Sequence, residues 1–292
     1  MNTRRDFIAA LSAASLSAAP APQSTAAQLY TVRAPLRREP ERTLKALAEI
    51  GFKDVEGHNR TQLISLAPKL KELGLTPRAC TVETPVITAN WEQFPNLKQL
   101  SVKEAVDSLA AIGAEFFVLG YIPPGARGDG EDFFRRTADR MNVAADICRK
   151  AGLKFAWQNH AWEFLGRPGF RPIELYKERL DPKLVSLELD VFWLSIIGLD
   201  PLKLLKDWKG HVPLMRLNDR AKGDIRQFAE ITDLDAAPKG ACAEMGTGAI
   251  DFAPIVKAAT AAGVRVFSIG QDETDENPLE TMRKNFNYAK NL

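Results

Sequence analysis

Five amphipathic runs along the chain end on a glycine and pass at once into an apolar stretch: Ile50-Gly51-Phe52, Leu73-Gly74-Leu75, Ile112-Gly113-Ala114, Ala151-Gly152-Leu153 and Ala262-Gly263-Val264. Glycine there takes the left-handed conformation that closes a helix. The stretches that follow, 52–56, 76–82, 115–121, 155–160 and 265–269, are rich in β-branched and aromatic residues, which predicts strands buried on both faces of a parallel sheet. Runs at 28–32, 184–191 and 212–217 bring the strand count to eight. Helices fit between them: 40–50 carries Leu44, Leu47, Ala48 and Ile50 at helical spacing, and 132–151 carries Phe133, Ala138, Met141, Ala145 and Cys148. Eight strand-helix units in about 265 residues predict an α/β fold, a single (β/α)₈ barrel over 27–292. The alternative, an open doubly wound sheet, calls for a glycine-rich phosphate turn after the first strand, and Gln28-Leu29-Tyr30-Thr31-Val32-Arg33 has none.

Residues 1–26 stand apart from this rhythm. Thr3-Arg4-Arg5-Asp6-Phe7-Ile8 is a twin-arginine export motif, followed by an Ala/Ser/Leu-rich stretch and a small-x-small cleavage site at Ala19-Pro20-Ala21. The stretch from 7 to 19 is shorter than the roughly 20 apolar residues that span a bilayer. The expectation is a cleaved address and a mature protein that works in the periplasm or otherwise outside the cytoplasm; the plain alternative is an N-terminus that happens to contain Arg-Arg.

The formal charge is +2, and +1 without Arg4, Arg5 and Asp6, so nothing marks the chain as a binder of nucleic acid or an anionic membrane. Three widely spaced cysteines, Cys80, Cys148 and Cys242, fit neither a disulfide framework nor a Cys-x-x-Cys zinc site. No nucleic-acid or membrane partner is expected, and homo-oligomerisation stays open.

In a barrel of this kind the chemistry follows the strand C-termini. Glu56 and His58 follow the second strand; Trp157-Gln158-Asn159-His160-Ala161-Trp162-Glu163 the fifth; Glu188-Leu189-Asp190 the sixth; Arg216-Leu217-Asn218-Asp219 the seventh. Carboxylates, amides, a histidine and an arginine delivered from successive strand ends predict one active-site mouth. Long loops at 84–99 and 220–247 predict lids or pocket walls. Aromatic faces such as Trp193 suit stacking under a sugar ring.

The chain resembles the sugar phosphate isomerase/epimerase group of xylose-isomerase-like barrels, which also holds inosose dehydratases, ketose 3-epimerases and, more distantly, an abasic-site nuclease type. The resemblance rests on Gln28-Leu29-Tyr30-Thr31-Val32-Arg33, Gly51-Phe52-Lys53-Asp54-Val55-Glu56, Asn159-His160-Ala161-Trp162-Glu163-Phe164, Glu188-Leu189-Asp190-Val191-Phe192-Trp193, Gly246-Thr247-Gly248-Ala249-Ile250-Asp251 and Gln271-Asp272. It implies one divalent metal, manganese, magnesium or zinc, that stabilises an enediolate while an acid/base pair moves protons. Three positions depart from the pattern: Arg216 stands where a histidine is usual, Gln158 where a histidine is usual, and Gly270 where a glutamate is usual. Arginine cannot bind a cation. If Glu163 and Asp190 hold a metal, they are its ligands; otherwise the Arg216 guanidinium takes the place of the ion.

The expected function is an exported isomerase or epimerase acting on a sugar or keto-sugar by proton abstraction beside a carbonyl. Glu163, Asp190 and Arg216 are the expected catalytic groups, and Gln158, His160, His58, Glu56, Asp219, Glu244, Gln271 and Trp193 the expected substrate contacts. A keto-sugar lyase or dehydratase and a non-catalytic carbohydrate-binding barrel are the alternatives, and an Asp190–Arg216 structural salt bridge is the plain reading of that pair.

Overall fold

A computed structural model of the chain describes residues 24–127, 130–165, 169–223, 240–274 and 277–292. The twin-arginine motif at 3–8 lies outside them, as does most of the loop expected at 220–247. Eight parallel strands close into a barrel: β1 (Ser24–Gln28), β2 (Asp54–Gly57), β3 (Thr76–Val82), β4 (Phe116–Leu119), β5 (Lys154–Gln158), β6 (Val185–Asp190), β7 (Leu214–Leu217) and, after a short antiparallel ribbon of β8 (Asp219–Arg220) and β9 (Cys242–Ala243), β10 (Val266–Ile269). Strand β10 pairs with both β7 and β1 and so closes the ring.

Between the strands lie the helices the apolar spacing predicts, among them Pro40–Ile50 and Glu131–Lys150. All five run-ending glycines have positive φ. Ser101 and Glu104 form a capping box on the helix Val102–Ala110, each satisfying a backbone N–H the helix leaves open. The loop expected at 84–99 contains a helix at Thr84–Thr88 and a 3₁₀ turn at Trp91–Gln93.

The first strand lies earlier than its apolar pattern predicts. β1 is Ser24–Gln28, and 29–32 turns out of the barrel instead of extending it. Ser24, Thr25 and Ala26, read as the end of the leader, therefore belong to a barrel strand. The small Ala26 is fully buried in the barrel interior, where a larger side chain has less room, and small residues carry little apolar signal along the sequence.

Period-2 alternation sets what each strand shows to each side. Phe117, Phe155, Leu187, Met215 and Phe267 face outward into the main core. Phe116, Val118, Ala26, Ala79, Ala156, Leu214 and Val266 fill the barrel interior as a dry plug. Two residues further along, Ala26 gives way to Gln28, Ala156 to Gln158, Leu214 to Arg216 and Val266 to Ser268. The interior thus changes from apolar to polar one layer below the strand C-termini.

Candidate active site

That polar layer is organised around Arg216, which lies almost fully buried near the end of β7. Its Nε donates to Glu56 Oε1 at 2.9 Å, and its Nη2 donates to the same oxygen. Glu188 Oε1 lies 3.7 Å from Nε, and Asp190 Oδ2 lies 4.0 Å from Nη1. With its amide oxygen turned toward Arg216, Gln28 accepts from Nη2 at 2.8 Å and from Nη1 at 3.1 Å.

One guanidinium among so many carboxyl groups cannot ionise them all. Burial works against a charge on Glu56, but the Arg216 guanidinium, with Glu188 and Ser268 nearby, outweighs it and holds the carboxyl below its ordinary value. Glu188 moves the other way, pushed well above the usual carboxylate range by burial and then by the Glu56 charge. Glu56 Oε2 and both Glu188 oxygens lack a donor among the described residues, and a proton kept on Glu188 would supply one for Glu56 Oε2. Asp190 is pushed up to about 7 by burial, with Arg216 pulling it down and Asp272 pushing it up.

Local structure fixes Asp190 in place. Its Oδ1 accepts from Phe192 N at 3.0 Å, capping the helix Val191–Ile196, and its Oδ2 accepts from Gln158 Nε2 at 2.9 Å. The neighbouring Asn159 clasps the Asp190 backbone, accepting its N–H at 2.8 Å and donating to its carbonyl at 3.3 Å. The ends of β5 and β6 are thereby locked together.

A cavity of about 260 Å³ opens above this layer, with Arg216, Gln158 and Asp272 on its surface. On one side His58 packs against Tyr30, ring centroids 5.4 Å apart; on another His160 lies between Tyr121 at 5.1 Å and Trp193 at 5.2 Å. Burial, then Arg216, pushes His58 down to about 4 and His160 down to about 3, so both imidazoles are uncharged at neutral pH. Burial also raises the Asp272 carboxyl, against the pull of Arg216 and Arg33.

Of the residues expected in the mouth, Arg216, Gln158, His160, His58 and Trp193 line the cavity. Glu56 and Asp190 sit fully buried against Arg216. Glu163 stands behind His160: its Oε2 accepts the His160 backbone N–H at 2.8 Å, in a recess it shares with Trp157 and Tyr176. There burial pushes it up to about 8. Asp219 turns away from the cavity and clamps its own loop, accepting from the backbone N–H groups of Gly246, Gly248 and Ile250 at 3.0, 3.0 and 3.1 Å. A Cβ at Gly248 would come within 2.3 Å of that carboxylate, so glycine is required. Gly246-Thr247-Gly248 thus cradles the protein's own carboxylate. Glu244 pairs with Lys284 at 2.8 Å, and Gln271 donates to the Glu273 carbonyl at 2.8 Å.

Asp272, Arg33, Tyr30, Gln28 and Tyr121 line the cavity without having been singled out as site residues. A signal for them exists: each ends or follows a strand on the C-terminal side, and Arg33 and Asp272 lie within the stretches that carry the family resemblance.

The sequence profile for "Xylose isomerase-like TIM barrel" matches residues 44–292. The chain belongs to the xylose isomerase-like TIM barrel family. An inosose dehydratase of Clostridium perfringens (strain 13 / Type A) is 24% identical over 271 residues, 86% of this chain and 89% of that protein. Among solved structures, a sugar phosphate isomerase/epimerase from Parabacteroides distasonis ATCC 8503 superposes with a TM-score of 0.70 at 21% identity, covering 96% of this chain and 97% of that one. The IOLI protein, solved with a binding zinc atom, superposes with a TM-score of 0.67 at 16% identity, over 92% and 97% of the two chains. These two share the barrel fold.

A structural neighbour solved with zinc raises the question of whether this barrel fits a metal. Among the described residues no group of three or more His, Cys, Asp or Glu side chains is arranged to hold an ion. Arg216 occupies the centre of the carboxylate cluster and takes up Glu56, and a guanidinium offers no lone pair. The donor set around Arg216 does not fit a divalent cation.

Proposed function

We propose that the protein is an exported carbohydrate isomerase, epimerase or dehydratase that moves a proton on the carbon beside a carbonyl, with Arg216 standing where a metal ion would. The observation that carries this reading is the placing of Arg216: fixed by Glu56, it faces a cavity that Asp272 also lines. Asp272 removes the proton, the electron pair moves onto the carbonyl oxygen, and the resulting negative charge falls beside the guanidinium. A preorganised cation in a site closed to bulk water stabilises such charge strongly. Return of a proton to the opposite face of the same carbon gives the epimer; return to the former carbonyl carbon, as the neighbouring hydroxyl gives its proton to the enolate oxygen, gives the isomer. Delivery of the proton to a departing hydroxyl gives water and an unsaturated product, the dehydratase outcome, a reading supported by the Clostridium perfringens relative.

Asp272 here takes the role expected of Glu163, because Asp272 lines the cavity. Glu56 and Asp190 orient the guanidinium. Gln158 and the neutral His58 and His160 exchange hydrogen bonds with hydroxyls, and Trp193 and Tyr121 offer ring faces to an apolar sugar surface. The address at Thr3-Arg4-Arg5 supports an unphosphorylated substrate met outside the cytoplasm.

Proton NMR in D₂O with a panel of ketoses, inososes and 3-keto-glycosides tests the reaction, alongside metal analysis of protein purified without chelator. Solvent deuterium is expected at a single carbon, at metal contents far below stoichiometric. One divalent ion per chain would end the guanidinium's role, and binding without exchange across the panel would leave a carbohydrate-binding barrel.

A further inference from the structure

The cavity holds a second guanidinium that this reaction leaves unused. Arg33 opens the helix Arg33–Arg38 just past β1, and its Nη1 donates to the carbonyls of Tyr30 at 2.9 Å and Asp272 at 3.0 Å. Its guanidinium carbon stands 4.0 Å from the Tyr30 ring centroid. Two carbonyls and a ring hold the group still while engaging one nitrogen. Nε and Nη2 donate to no described residue, and among the described residues no carboxylate pairs with Arg33. We propose that the carbohydrate taken by this cavity carries a carboxylate, and that Arg33 receives it through its Nε and Nη2 edge.

Several observations converge on an anion. A half-buried cation with a free fork is partly stripped of water, and a planar carboxylate matches the two parallel N–H bonds of that edge. Neighbouring His58 is depressed by burial and then by Arg216, Arg33 and Arg37, so three guanidiniums act on this one wall. Asp272 and Glu273 also line the cavity, but Asp272 meets Arg33 through its backbone carbonyl and Glu273 Oε2 accepts from Gly240 N at 3.3 Å. Those acids repel a phosphate dianion more than a carboxylate. A volume of about 260 Å³, just under the roughly 300–1,000 Å³ of sites for drug-sized ligands, takes one ring with its substituents.

The inference rests on the carbohydrate reading of the cavity, but its test needs no turnover. Calorimetric titration of the full chain with glucuronate, glucose and glucose 6-phosphate is expected to rank glucuronate first, by about tenfold or more over glucose. Arg33→Gln is expected to bring that ratio to within about twofold, with Arg33→Lys in between. Equal affinity for glucuronate and glucose, or no heat with glucuronate, overturns the proposal. Tighter binding of glucose 6-phosphate overturns the carboxylate assignment, and a ratio unchanged in Arg33→Gln overturns the role of Arg33. If Arg33→Gln does not fold, the wild-type ranking and Arg33→Lys decide. Carboxylate-selective binding without deuterium exchange would count against the reaction alone.

Discussion

Arg216 on β7 reaches past β10 and β1 to Glu56 on β2, closing a buried ion pair across the barrel interior with Nε 2.9 Å from Oε1. The pair is the frame of the site, since the orientation of the guanidinium follows from it.

Removing one partner of a buried pair leaves the other charged and unsatisfied. Arg216→Met is therefore expected to cost about 3–5 kcal/mol of stability, and the double variant Arg216→Met with Glu56→Gln to recover a large part of the loss. Urea unfolding of both variants measures the difference. With Glu56→Gln measured alone as well, a double-variant loss equal to the sum of the two single losses would show that the residues are not energetically coupled.

Stability should fall on the alkaline side of neutrality. Asp190 and Glu163 keep their protons up to about 7 and about 8, whereas in the unfolded chain they titrate near 3.8 and 4.5. Across that span the unfolded state has released protons that the folded state still binds, so stability declines as pH rises. His58 and His160 act in the opposite sense up to their ordinary value of 6.5, because the unfolded imidazoles bind protons that the folded ones refuse. Below 6.5 the effects oppose each other; from there to about 8 the carboxyl effect stands alone, at up to about 1.4 kcal/mol per pH unit for each group. Glu163→Gln should flatten the upper part of the decline. Urea midpoints that hold constant over this window would contradict the placing of these protons.

If Asp272 is the base, Asp272→Asn should slow deuterium exchange by about 10²-fold or more. The loss from Glu163→Gln should be smaller, since that carboxyl stands behind His160, accepting its backbone N–H and lying 3.9 Å from its Nδ1. The opposite order of the two rates would return the proton transfer to Glu163.

For export, Arg4→Lys with Arg5→Lys should hold the chain in the cytoplasm at its uncleaved length, seen by fractionation and mass spectrometry. Unchanged secretion of the double variant would dismiss the twin-arginine address.

Most of the barrel was legible in the chain, because a parallel strand buried on both faces and a helix closed by glycine both leave local marks. Strand β3 falls on 76–82 as its apolar run predicts, and the helix Pro40–Ile50 has the expected bounds. Strand β1 was misplaced by four residues at its start, since Ser24, Thr25 and the alanines after them carry little apolar signal and follow an alanine-rich leader. Gathering the polar stops into one mouth was also within reach, as strand ends in such a barrel share a face.

Composition and spacing alone determined an α/β barrel with its polar residues at one end, since those properties come from periodicity within a few residues. Only the closed barrel decided that Arg216 answers Glu56, that Glu163 turns back onto His160, that Asp219 fills its own glycine loop, and that Asp272 and Arg33 face the cavity. Side-chain partners 160 residues apart, as Glu56 and Arg216 are, depend on the closure and register of the whole sheet, and no local window of sequence contains that information.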